Sequence, residues 1–244
     1  MAFFDTLQQT ISLLSQWDSE LWSIIGLSLR VSLSALVIAI VLGLPIAILL
    51  AVYRFPGDRI IYIVVDTLMA MPPVVVGLLV YLLLSRIGPL GIWGLLYTPT
   101  AMIIAQSLLI TPIVIALSLQ LFQQHWQRLG DQLTMLGIRG RQVFPILLHE
   151  SRLGLITVVL AAFGRAIAEI GAVMIVGGNI EQETRVMTTA IAMETRQGNL
   201  EMAMALGMVL ILLALLINAC VHLVSAWKSR KMSVNTLPMD RGQQ

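Results

Sequence analysis

Five long apolar runs divide this chain, and its polar residues collect in the stretches between them. The runs cover residues 21–52, 60–84, 99–122, 153–177 and 200–227. A helix needs about 20 predominantly apolar residues to cross a bilayer, so each run predicts a span. The first is the longest. Gly43 and Pro45 supply a bend, and no polar turn divides it in two. Ahead of the runs, Phe4, Leu7, Ile11 and Leu14 fall at helical spacing with Gln8, Gln9 and Ser12 between them. That pattern predicts an amphipathic helix over 2–17 lying in the membrane interface. The expected architecture is an all-α membrane protein with five transmembrane helices. It divides into an interfacial segment 1–20, a transmembrane domain 21–227 and a polar tail 228–244.

The longest polar interruption is 123–152. Within it Leu129, Leu133 and Leu136 recur at i, i+4 and i+7, separated by Asp131, Gln132 and Thr134. This predicts a short amphipathic helix with Asp131 near its N-terminus, in the favourable half of the macrodipole. Gly137 ends or kinks that helix, and Gly140 permits a tight turn. Val143, Phe144, Ile146, Leu147 and Leu148 then resume an apolar surface. The expected element is a helix–turn–helix at the membrane surface, suited to a partner's groove. An ordinary interfacial hairpin would carry the same spacing.

Composition supports the membrane reading: 58% of residues are hydrophobic and 11% charged, against about 25% charged in a soluble domain. Cys220 is the single cysteine, which excludes an intrachain disulfide or a multi-cysteine metal site. No basic residue precedes Arg30, which argues against a secretory leader. The remaining basic residues set orientation, because Lys and Arg favour the cytoplasmic side. One set of connections holds ten of them: Arg54, Arg59, Arg128, Arg139, Arg141, Arg152, Lys228, Arg230, Lys231 and Arg241. The opposite set holds three: Arg86, Arg185 and Arg196. The N-terminus is therefore expected outside, the C-terminus and 123–152 inside, and 178–201 outside. Basic residues sorted by topology in this way do not form a nucleic-acid patch.

Candidate chemistry is sparse. A phosphate-binding loop needs Gly-x4-Gly-Lys-[Ser/Thr], and the lysines here are Lys228 and Lys231, outside any such pattern. Any ATP-derived work must come from another subunit. His149-Glu150 opens like a zinc-protease motif, but Leu153 stands where the second histidine belongs. Pro72-Pro73 lies inside an apolar run and should kink it, either as a packing device or as a pore-lining bend. Arg165 and Glu169 are four apart within a run and can pair. Charges inside a membrane face inward, as a structural pair or beside a path. Gly164, Ala168 and Ala172 repeat every four residues, a stripe for close helix approach. The 178–201 connection offers Thr184, Thr188, Thr189 and Thr195 as donors to an oxyanion. Its Glu181, Glu183, Glu194 and Glu201 outnumber Arg185 and Arg196, so that field would not concentrate a free anion.

The 131–150 segment resembles the cytoplasmic coupling loop of type I ABC importer permeases. Asp131-Gln132-Leu133 stands for Glu-Ala-Ala, Gly137 falls at the signature glycine and Leu147 at the later Ile, while His149 and Glu150 replace Leu and Pro. Leu27–Ser34 with Leu42-Gly-Leu-Pro45, and Met71–Gly77, resemble the first two core helices of these permeases. Glu169–Ile180, Thr184–Ala190 and Glu194-Thr-Arg-x-Gly198 are similar to the molybdate/tungstate/sulfate branch, most of all to tungstate permeases. The resemblance implies a homodimer in a bacterial or archaeal cytoplasmic membrane, with two cytoplasmic ATPase subunits and an external solute-binding protein. It implies coupling through Asp131, Gly137, Arg139, Gly140 and Arg141, and a path past Pro72, Pro73, Glu169, Gly171, Thr188 and Thr189. No catalytic residue, metal or cofactor is expected on this chain, ATP being used by the partner, and lipid is its surrounding solvent. Molybdate or sulfate is the alternative cargo, and a non-transporting membrane scaffold the alternative class.

Overall fold

Proline and glycine placement decides where the apolar runs stay helical and where they break. The computed structural model describes the backbone of residues 19–53, 57–138 and 140–234, with side chains up to 223, Asp58 excepted. The expected interfacial helix over 2–17, Arg139 and the tail from 235 lie outside the described residues. The helices are α1 (Ser19–Val52), α2 (Asp58–Met69), α3 (Pro73–Leu84), α4 (Pro99–Met135), α5 (Val143–Ile167), α6 (Gly171–Gly177), α7 (Met187–Gln197) and α8 (Leu200–Val234). No strand occurs among the described residues. The all-α membrane fold is as expected.

Four helices, α1, α4, α5 and α8, are each long and apolar enough to cross a membrane. The fifth expected span, 60–84, is a pair of helices bent by 95°. Its two arms have 12 residues each, about 18 Å at 1.5 Å per residue, so neither crosses alone. A kink was expected from Pro72-Pro73, and the structure makes a full break. Neither proline has an N–H to donate, and Pro72 is extended at φ −60° and ψ 128°. Carbonyls at the end of α2 are closed by the amides of Ala70 and Met71. Pro73 then opens α3 at the position where a missing N–H costs nothing.

The 153–177 run departs from expectation at both ends. Its helix begins at Val143, continuous with the hairpin, and stops at Ile167. A second break over 168–170 separates it from the seven-residue α6. Gly164, Ala168 and Ala172 therefore do not form one helical stripe. Ala172 instead meets α3, where a Cβ on Gly77 would lie 2.7 Å from the Ala172 Cα. The short helix expected over 129–136 is the last two turns of α4, a 37-residue helix. Its end is a Schellman motif: Ile138 N–H donates to Leu133 O (2.9 Å) and Gly137 N–H to Thr134 O (3.1 Å). Gly137 at φ +73° supplies the left-handed turn, and Gly140 at φ +61° turns the chain into α5.

α4 is the central post, packed along α1 and touching α5, α2, α6 and α3. One core layer joins Val31, Val80, Met102, Ala105 and Val176. Another, toward the hairpin, joins Ala47, Phe122, Val143 and Leu147. Leu78, Leu79 and Leu82 of α3 and Ile211, Leu212 and Leu215 of α8 face outward, as lipid-exposed helices should.

The Gly77 contact is testable. Gly77→Ala should cost about 1–3 kcal/mol through overpacking against the Ala172 backbone, read as a lower thermal-denaturation midpoint in detergent. Gly26→Ala, whose Cβ meets nothing within 4 Å, should leave the midpoint unchanged or higher.

Candidate functional site

Two helix breaks lie against each other, with Pro72, Ala168 and Ile170 exposed and Glu169 buried, and at membrane depth each leaves backbone groups that need partners. At Gly171 a Cβ would stand 2.9 Å from Val74 Cγ2, so the start of α6 lies against the start of α3. Neighbouring side chains supply the partners the broken helix lacks. In an unbroken α5 the Ala166 carbonyl would accept from the residue-170 amide. Here it accepts from the Glu169 amide (3.2 Å) and from Gln106 Nε2 of α4 (2.5 Å). Thr188 Oγ1 donates to the Glu169 carbonyl at 2.8 Å. The Glu169 carboxylate accepts from the Ala172 amide at 3.2 Å, satisfying one orphan donor of α6. Arg165 pairs with its other oxygen at 2.6 Å. The Glu169 side chain is 4% exposed and the Arg165 side chain 41%, so the carboxylate is buried and the cation reaches out from it.

The expected pairing of Arg165 and Glu169 holds, although Glu169 lies one residue beyond the C-cap of α5. Of the residues assigned to a path, the structure gathers Glu169, Gly171, Thr188 and the Pro73 end of α3. Thr189 is fully buried and occupied locally. Its hydroxyl accepts from Val186 N–H at 3.1 Å and donates to Val186 O at 3.0 Å, closing the start of α7. Thr184 likewise donates to Gly177 O at 2.6 Å. These hydroxyls hold the fold of the 178–199 segment.

Two residues carry more structure than the sequence reading gave them. Gln106 is 3% exposed and binds the break while also donating to Ser32 Oγ at 3.4 Å. A lone amide inside an apolar run was the available sign. Arg185 is 7% exposed and faces carboxylates from Glu20 (3.3 Å), Glu194 (3.7 Å) and Glu181 (3.8 Å). The excess of acids around it in the sequence was the sign there. Its charge is internally compensated. Nearby, Tyr97 packs edge-on to Tyr81 with ring centroids 6.4 Å apart, and the hydrogen bond between them holds the Tyr97 phenol above its ordinary range.

At the other end, Asp131, Gly137, Gly140 and Arg141 sit exposed on the α4–α5 hairpin. Leu133 turns inward. Met135 and Leu136 are 87% and 73% exposed at the tip. Among the described residues no cluster of His, Cys, Asp and Glu could hold a metal ion.

Comparison with known proteins gives this geometry a context. Residues 43–234 match the family model described as the binding-protein-dependent transport system inner membrane component. The chain is 44% identical over 202 residues to a probable anion ABC transporter permease protein of Haloferax volcanii, covering 81% of this chain and 87% of that one. It is 42% identical over 212 residues to a tungstate uptake system permease protein of Peptoclostridium acidaminophilum, covering 87% and 93%. It is 39% identical over 219 residues to the corresponding tungstate protein of Campylobacter jejuni, covering 90% and 92%.

The ion pair at the break sets a stability test. Arg165→Met leaves the Glu169 carboxylate buried without its cation and should cost on the order of 3 kcal/mol. Arg165→Met with Glu169→Gln should recover most of that loss. Thermal denaturation of both variants in detergent measures it, and a double variant no more stable than the single one would contradict charge compensation at this site.

Proposed function

We propose that this chain, which belongs to the family of binding-protein-dependent transport system inner membrane components, carries tungstate inward as the permease of an ABC importer. The observation that carries the cargo is the similarity, along nearly the whole chain, to two permeases named for tungstate uptake. The working unit is a homodimer in the cytoplasmic membrane, with the hairpin end inside and the 178–199 segment outside. Ten basic residues on one set of connections against three on the other support that orientation.

An external binding protein delivers the oxyanion. Arg185, the buried arginine of the outer segment, is already compensated by carboxylates, so free anion capture there is electrostatically disfavoured. Two ATPase subunits dock on the hairpin, where Met135 and Leu136 offer apolar anchors and Asp131, Gly137, Arg139, Gly140 and Arg141 define the surface around them. ATP closure of those subunits moves the hairpin. α4 and α5, which both run from it into the membrane, carry the motion to the break at 168–170 and alternate access as packed bodies. Glu169, Gly171, Thr188 and the Pro72-Pro73 break form the wall of the path. Thr189 supports that wall through its cap on α7.

Reconstitution with the cognate ATPase and binding protein tests the assignment. ATP-dependent uptake should follow tungstate, and uptake of only molybdate or sulfate would overturn the cargo. Gly137→Asn, which tolerates the left-handed turn, should keep most ATPase stimulation. Gly137→Val, which does not tolerate it, should lose at least about tenfold while still entering the membrane. Equal stimulation by both variants would remove the hairpin from the coupling route.

A further inference from the structure

The hairpin end holds a cavity on the flank of the bundle. The last two turns of α1 and the first turn of α5 diverge around a pocket of about 480 Å³, within the size range of small-ligand sites. Ile48, Leu49, Val52 and Phe144 make its apolar walls, and Tyr53 and Arg141 line it as well. Ile48 is buried, whereas Tyr53 is 48% exposed and Arg141 is exposed. The pocket thus joins apolar side chains, from buried Ile48 to Leu49 at 55% exposed, with a phenol and a guanidinium. The two walls approach closely, since a Cβ on Gly140 would lie 3.7 Å from the Tyr53 hydroxyl.

Charge and depth select the occupant. Arg141 has no carboxylate within ion-pair distance among the described residues. Arg59, Arg128 and Arg152 add positive charge at this end, against Asp58, Asp131 and Glu150. Tyr53 stands one residue past the end of α1, the headgroup level where aromatic side chains collect. Basic pockets between membrane helices at this depth suit acidic headgroups. The walls belong to apolar helices rather than to the exposed tip at Met135 and Leu136, so a chain of methylenes fits them better than a soluble subunit does.

We propose that this pocket binds one anionic phospholipid, with its phosphate held by Arg141 and the Tyr53 hydroxyl and its acyl chain laid along Leu49 and Val52. The inference rests on the membrane fold and is independent of the tungstate assignment, although Gly140 and Arg141 also belong to the proposed docking surface. Its position against the α4–α5 turn makes the bound lipid a brace between α1 and the hairpin.

Native mass spectrometry of the purified chain, from equal mixtures of phosphatidylglycerol and phosphatidylcholine, reads the site. The wild-type protein should retain one phosphatidylglycerol in preference to phosphatidylcholine. Arg141→Gln should lower that preference about fivefold, the equivalent of the roughly 1 kcal/mol one basic group contributes at an anionic surface. Arg141→Lys should restore most of it, and Arg128→Gln should leave it intact. Leu49→Trp, which fills the apolar wall, should reduce retention of both lipids. Circular dichroism confirms that each variant is folded. Unchanged preference in Arg141→Gln overturns the proposal. So does displacement of the lipid by millimolar inorganic phosphate, which would make this a free-anion site. Protection of a cysteine placed at position 49 by the ATPase subunit, but not by phosphatidylglycerol, would assign the pocket to protein and overturn it as well.

Discussion

An unsatisfied backbone amide or carbonyl inside a membrane costs several kcal/mol, and this constraint organises the structure. Two apolar runs are interrupted at depth, one by Pro72-Pro73 and one over 168–170, and each interruption must be repaired by the protein itself. The first break is repaired along the chain, by turn amides at Ala70 and Met71 and by prolines that have no donor to lose. The second is repaired partly by Glu169 itself and partly from other helices. Gln106 reaches from α4, Thr188 from the start of α7, and the Glu169 carboxylate caps α6. Gln106, Glu169 and Thr188 stand where the backbone needs them.

That division explains what the sequence made legible. The spans, the Arg165–Glu169 pair and the turn at Gly137 rest on local rules: apolar length, i,i+4 spacing and the freedom of glycine at positive φ. The break at 168–170 has no such mark. Ala168, Glu169 and Ile170 contain neither proline nor glycine, and the helix stops because distant side chains stabilise the stopped form. For the same reason the small-residue periodicity of Gly164, Ala168 and Ala172 misled. Its last member packs against Gly77 of another broken helix, a contact with no counterpart in local spacing. The threonines of 178–199 looked like ligand donors by composition, but their hydroxyls are used by nearby carbonyls once the chain folds.

The hairpin shows the opposite case, in which a sequence pattern was read correctly but given the wrong length. The 129–136 stripe is amphipathic because α4 leaves the membrane while remaining helical. At 37 residues the helix is about 56 Å long, well beyond the roughly 30 Å hydrocarbon layer. Leu133 still belongs to the core, whereas Met135 and Leu136 have passed beyond it and face outward. Apolar periodicity persists across that boundary while the environment changes from protein interior to open surface, so periodicity alone could not separate packing residues from docking residues.

This continuity bears on how motion could travel in the proposed cycle. Gln106 and the hairpin tip lie on one helix, about 44 Å apart along its axis at 1.5 Å per residue. Gln106 also binds the Ala166 carbonyl at the break. A displacement of the tip therefore has a route to the break that crosses no loop, through one continuous helix and one hydrogen bond. α5 offers a parallel connection, running unbroken from the hairpin to Ile167. The two routes differ at Pro112, the interior proline of α4, which removes a backbone hydrogen bond between the two ends. A helix with that interruption can bend, so rigid transmission falls chiefly to α5. Gln106 then acts as the anchor against which the end of α5 moves. In the proposed cycle the 168–170 break is the compliant element at the end of α5, and the buried Glu169 lies within it.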